Sequence, residues 1–114
     1  MSVKYKTGED QIAHFLTWSV VDWIDALTRN EYKDIIVKSL QYCIENKGLL
    51  LHGWIIMSNH VHLIGSANIN FTLSDILRDL KKYSSKKIFN AIKTNSKESR
   101  REWMVYMFER AGKR

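Results

Sequence analysis

Two apolar runs, Leu49–Met57 and His60–Gly65, meet across Ser58-Asn59. They read as an antiparallel hairpin with a two-residue turn, and a turn of that length fixes the register. Met57 then faces His60, Ile55 faces His62 and Gly53 faces Ile64. Alternate residues of a strand point to opposite faces. His60 and His62 therefore share a face with Ile55 and Met57, their Cα atoms about 6.5–7 Å apart. Val61 and Leu63 go to the other face, where a core can form. His52 falls with Trp54 and Ile56, away from the pair. His14 belongs to an earlier strand, and this register assigns it no face.

A His-Val-His step in a strand has two readings. Imidazoles two residues apart can lean toward one divalent ion or one phosphate. They can equally be two half-exposed histidines on an open sheet, and spacing alone does not separate the two. A three-histidine zinc site would need His14, because His52 lies on the wrong face. Cys43 is the single cysteine, on the apolar side of a helix, so neither a disulfide framework nor a cysteine zinc site is available.

The hairpin sits in a β-α-β-β-α-α order. Ile12–Val21 is dense in β-branched and aromatic residues and reads as a strand; residues 22–25 read as a turn or loop. Tyr32, Ile35, Ile36, Leu40, Cys43 and Ile44 have helical spacing, with Asn30 as N-cap and Gly48 ending the helix. Thr72 caps a second helix, with Asp75 in its first turn. Its apolar stripe is Leu73, Ile76, Leu77, Leu80, Tyr83 or Ser84, Ile88, Ala91 and Ile92. A third helix follows residues 94–97, with Trp103, Met104, Met107, Phe108 and Ala111 on one side. The helical crossover predicts a parallel pair of the first two strands. The expected fold class is α+β, a ferredoxin-like split β-α-β sheet with helices on one face. Its fourth strand is not evident. It would come from beyond residue 114, from a partner chain, or from residues 102–108 if these form a strand.

Composition narrows the function. The chain has 114 residues, 45% of them hydrophobic, with four Trp and no Pro, which suits one packed domain over 1–114. No apolar stretch approaches the roughly 18 residues of a membrane span. The start, Met1 to Lys6, has no signal-peptide core and reads as cytoplasmic. Residues 78–114 hold twelve Lys/Arg against four Asp/Glu, whereas the whole chain carries only +6. A basic C-terminal third is the electrostatic footprint of a nucleic-acid binder. Arg78, Lys82 and Lys86 repeat at helical spacing as a basic ridge. The alternative is a solvated lysine-rich helix that binds nothing.

Asn59-His60-Val61-His62-Leu63 after a tight hairpin resembles the HUH signature (His, hydrophobic, His) of the single-tyrosine transposases, including those of insertion sequences and repetitive extragenic palindromes. The run Leu73–Ile88 is similar to that family's helix after the HUH strand. The resemblance spans roughly residues 10–114. It implies that His60 and His62 hold Mg²⁺ or Mn²⁺, which polarises the scissile phosphate of single-stranded or hairpin DNA. It also implies that a tyrosine attacks to leave a 5′-phosphotyrosine, and that the protein is a homodimer. The family's nucleophile lies on a helix well downstream of the HUH strand. Tyr83 is the candidate here, but it falls on the stripe of Ile76 and Leu80; Tyr106 is the other. The expectation is a transposase domain with its metal histidines and basic surface and without its nucleophile helix. The competing readings are a non-catalytic DNA- or RNA-binding module of the same descent, and a structural domain whose histidines are polar core.

Overall fold

A computed structural model describes residues 9–113. Residues 1–8, read above as a cytoplasmic start, and Arg114 lie outside the described residues. The elements are β1 (His14–Ser19), α1 (Asn30–Asn46), β2 (Leu49–Ile56), β3 (His60–Ala67), α2 (Leu73–Thr94) and α3 (Arg101–Gly112). Short 3₁₀ turns occupy Glu9–Gln11, Val21–Trp23 and Ala26–Thr28. No helix among the described residues is long and apolar enough to cross a membrane.

The sheet has the order β1-β3-β2, and β3 is antiparallel to both neighbours. β1 and β2 therefore run in the same direction without touching, which corrects the expected parallel pair. The hairpin folds β3 back into the gap that the α1 crossover leaves between them. This is the split β-α-β arrangement. Residues 102–108 are helical, so among the described residues no strand pairs with the outer edge of β1.

Local chemistry sets the helix ends. Thr72 Oγ1 accepts from Asp75 N at 3.2 Å, and Asp10 Oδ1 accepts from Leu73 N at 2.9 Å. Two side chains thus satisfy amides that the first turn of α2 leaves open. α1 stops at Asn46, and Gly48 follows at φ +74°. A β-carbon at Gly48 would also collide with the Phe71 ring, so only glycine fits. Asn30 is the first helical residue of α1 rather than its cap; extended Arg29 precedes it.

One face of the sheet carries the core. Leu16, Leu49, Val61 and Leu63 are buried there against Ile36, Leu40 and Cys43 of α1 and Ile76, Leu80, Ile88 and Ile92 of α2. Each such aliphatic side chain contributes about 1.5–3 kcal/mol. Burial pushes the Cys43 thiol up to about 11, so it is an inert packing group. α3 adds Met104, fully buried, and Phe108, which meets Phe89 edge-on at 6.5 Å. Trp103, expected on that packed side, is 47% exposed.

Two ion pairs fasten the link between α2 and α3. Glu98, 6% exposed, accepts from Arg29 Nε and Tyr32 Oη, both at 3.0 Å, and from Arg100 N at 3.2 Å. Burial opposes the charge on Glu98. The bonds from Arg100 N–H, Tyr32 and Arg29 together outweigh burial and hold the carboxyl below the usual carboxylate range. Arg100 in turn pairs with Asp25 and lowers its pKa.

Candidate active site

The register puts the two histidines on the sheet face opposite the core. Ile55 pairs with His62 and Gly53 with Ile64, and Met57 N donates to His60 O at 2.8 Å across the Ser58-Asn59 turn. Val61 and Leu63, which alternate with His60, His62 and Ile64, are buried, so the alternation holds over residues 60–64 of the central strand. β1 adds Thr17 opposite His62, Ser19 opposite His60 and Phe15 opposite Ile64.

The two imidazole rings touch, with centroids 4.6 Å apart at 77°. His60 Nδ1 lies 2.7 Å from Asn59 Oδ1, and His62 Nδ1 lies 3.0 Å from Thr17 Oγ1. A carbonyl oxygen only accepts, so with Oδ1 as partner His60 carries its proton on Nδ1 and keeps a lone pair on Nε2. Thr17 accepts in the same way when His62 takes that tautomer. Neither Nε2 has a hydrogen-bond partner among the described residues. A neighbour on one ring nitrogen and a lone pair on the other is how proteins hold histidine ligands. With that tautomer on both rings, the pair offers two imidazole donors on one sheet face. No group of three or more His, Cys, Asp or Glu able to hold a metal occurs among the described residues.

The other two histidines stand apart. His14 has the strand parity of buried Leu16, and its Nε2 meets Glu9 O at 2.9 Å. His52 sits in a β-bulge between Leu51 and Gly53. The bulge removes it from the alternation that placed it with Trp54 and Ile56, and its Nε2 meets Ser66 Oγ at 3.2 Å.

Two aromatic rings flank the pair. Phe15 stacks on His62 at 5.2 Å and 28°, and Trp23 meets His60 edge-on at 5.9 Å. Trp23 and its neighbour Asp22 are both left-handed, at φ 57° and 54°. For non-glycine residues this costs on the order of 1–3 kcal/mol each. The segment is held by the hairpin turn. Val20 N donates to Asn59 O at 2.9 Å, Leu27 N to Ser58 O at 2.8 Å, and Asn59 Nδ2 to Trp23 O at 3.5 Å.

The family model described as "Transposase IS200 like" matches residues 13–111. The chain belongs to the IS200-like transposase family. No curated protein matches it in sequence. A crystal structure of a protein from Deinococcus radiodurans R1, described as a candidate transposase, is similar in fold. It is 20% identical, with a TM-score of 0.60 over 95% of this chain and 97% of that one.

In this IS200-like transposase the remaining candidates lie on the helix layer, across the sheet from the histidines. Tyr83, expected on the apolar stripe of α2, is 38% exposed and stacks on Tyr42 of α1 at 5.5 Å and 11°. Ser84 takes the stripe position instead, fully buried, its Oγ donating to Leu80 O at 2.6 Å. The reason is spacing: 76, 80, 84, 88 and 92 step by four, and 83 does not. The ring contacts of His60 and His62 are with Phe15, Trp23 and each other; Tyr83 is not among them. Lys82 and Lys86 line a shallow groove with Lys47, Lys87, Tyr42 and Tyr83. Arg78 is tied to Asp75 at 3.1 Å and Asp79 at 3.4 Å. The ridge lies on α2, which packs on the core face of the sheet, opposite the histidines; Lys86 also lines a cavity with Trp18, Ser19 and Val61.

Sequence reasoning missed Phe15, Thr17, Asn59 and Trp23 as parts of the site. Phe15 and Thr17 alternate with Leu16 and Trp18, which marked them as sharing one face without saying which strand they would pair with. Nothing in the sequence signals the left-handed turn at Trp23.

Proposed function

We propose that this IS200-like transposase binds a divalent ion through His60 and His62 and acts there on single-stranded or hairpin DNA, within strand cleavage and transfer through a 5′-phosphotyrosine. The observation that carries this reading is the asymmetry of the two rings. Each Nδ1 is held by a neighbour, Asn59 or Thr17; this leaves a lone pair on His60 Nε2, and on His62 Nε2 when Thr17 is the acceptor. When bound, the ion supplies Lewis-acid polarisation of a phosphate oxygen. Imidazole donors suit Mn²⁺ better than Mg²⁺, which favours an all-oxygen shell.

The chain's own residues bind and orient. Asn59 Oδ1, which can only accept, sets the His60 tautomer, and Thr17 anchors the His62 ring. Lys82 and Lys86 neutralise phosphates of a DNA segment on the helix layer. Tyr83 packs between α1 and α2, so we assign it to that surface rather than to attack on a phosphate at His60 and His62. The nucleophile is then a group that the described residues do not bring to the pair. A homodimer formed along the open edge of β1 fits the three-stranded sheet. The working compartment we assign is the cytoplasm. The lack of a third side-chain ligand among the described residues favours, as a second reading, a module that binds single-stranded or hairpin DNA or RNA without cutting it.

The test uses stem-loop single-stranded DNA with and without Mn²⁺. Affinity should rise with Mn²⁺ in the wild type and not in His60→Ala or His62→Ala. A denaturing gel should show little or no covalent adduct. A wild-type affinity that ignores Mn²⁺ refutes the metal site. An adduct that vanishes in Tyr83→Phe restores Tyr83 as nucleophile.

A further inference from the structure

Phe15, His62, His60 and Trp23 form a row of rings with successive centroid separations of 5.2, 4.6 and 5.9 Å. The two end members are carbon-rich and open, Phe15 67% exposed and Trp23 63% exposed. Water is a poor environment for both, and neither position is forced. Phe15 occupies an outward site on β1, where a polar residue would cost nothing. Trp23 meets His60 from a segment in which two consecutive residues adopt a left-handed backbone that bulky side chains avoid. Strain retained in an aromatic residue beside chemistry-capable groups points to use.

We infer that Phe15 and Trp23 are positioning residues for the substrate: unpaired bases of single-stranded DNA stack on them, on either side of the His60–His62 pair. The inference deepens the function proposed above and rests on it. Aromatic rings accept any base, because every base offers a π-face, and they act on single strands, whose bases are not already stacked in a duplex. The positive charge lies in residues 78–114 and draws a polyanion to the protein as a whole; at the pair itself the rings do the holding. With bases held at both ends of the row, the sugar–phosphate backbone between them crosses the two imidazoles. Thr17 and Asn59 hold those imidazoles fixed, so the seat is built before the strand arrives.

The measurement is binding of the full chain to fluorescein-labelled oligodeoxynucleotides in EDTA, by anisotropy. An abasic residue is walked along a stem-loop with a single-stranded flank. Phe15→Leu and Trp23→Leu are used because both side chains are exposed, and circular dichroism checks that each variant folds. Each variant should lose about 5- to 150-fold in affinity for the single-stranded flank, with no change for blunt duplex. Wild type should lose as much at particular abasic positions, and each variant should lose nothing further at the position its own ring serves. Equal binding of normal and abasic strands by wild type overturns the proposal. So does wild-type affinity in both variants. Loss of a dimer in the variants with DNA affinity unchanged would assign these rings to a second copy of the chain, and overturns it too. Mn²⁺ added in a second arm separates the two readings. If the metal site fails, Mn²⁺ does nothing and base dependence persists; if stacking fails, Mn²⁺ still raises affinity and base identity and presence do not matter.

Discussion

Arg29 and Glu98 stand 69 residues apart in sequence, yet Nε of one donates to Oε1 of the other at 3.0 Å. The bond joins the residue that opens α1 to the loop that leads into α3. Glu98 is the more buried partner, and its side chain also holds Tyr32 and the Arg100 amide. Glu98→Ala should cost about 1–3 kcal/mol, because it leaves buried donors unmet; urea unfolding monitored by circular dichroism reads this directly.

The same carboxylate sets an acid limit. Its folded pKa lies below the ordinary glutamate value of 4.5. The unfolded chain therefore binds a proton first as pH falls, and the stability from Glu98 is present above 4.5 and lost down through the folded value. Thermal midpoints should fall more steeply below that pH in wild type than in Glu98→Gln. Parallel curves would mean that other carboxylates govern the acid limb.

Lys82 and Lys86 should act as phosphate contacts. Removing both should lower the salt slope of single-strand binding by about 1.4, at roughly 0.7 per contact. Arg78→Ala should matter less, since Asp75 and Asp79 already hold that guanidinium. A slope unchanged in the double variant would make the ridge ordinary solvated surface.

Tyr83→Phe should leave both DNA affinity and stability near wild type, because the ring keeps its stack on Tyr42 and the hydroxyl has no assigned role. Tyr83→Ala should cost about 0.5–1.5 kcal/mol from the lost aromatic pair. Chemical denaturation of the two variants side by side distinguishes ring from hydroxyl.

The open edge of β1 should be covered in solution. Light scattering at micromolar concentration should give a dimer. A Lys placed outward at Ser19 should weaken it, as charges on edge strands do. A monomer at all concentrations would leave the edge to water.

What the sequence disclosed follows from the range of the interactions involved. The β2–β3 register was readable because a two-residue turn and period-two alternation fix it locally, and the Thr72 cap because it spans three residues. The bulge at His52 was not readable: one extra residue reverses a side chain and leaves no mark in composition. Tyr83 and Ser84 were left as alternatives on the α2 stripe, and the step of four from Leu80 decides for Ser84. The element order disclosed the split β-α-β class, though not that β1 and β2 would be kept apart by β3; the Arg29–Glu98 pair and the left-handed turn at Trp23 depend on partners far away in the chain. The Nδ1 neighbours of the histidines split the same way. Asn59 is adjacent to His60, while Thr17 is 45 residues from His62.

β3 is the middle strand of three, with ladder bonds on both sides and Val61 and Leu63 sealed beneath. Its amides around His62 can meet solvent only when the sheet comes apart, so hydrogen exchange there should report global opening rather than local breathing. The backbone that carries the histidines is thus paired on both sides. The neighbouring Val20–Leu27 segment lies outside the ladder and grips the hairpin turn by two backbone bonds from its ends. In mechanical terms the protein is a fixed anvil with a hinged edge.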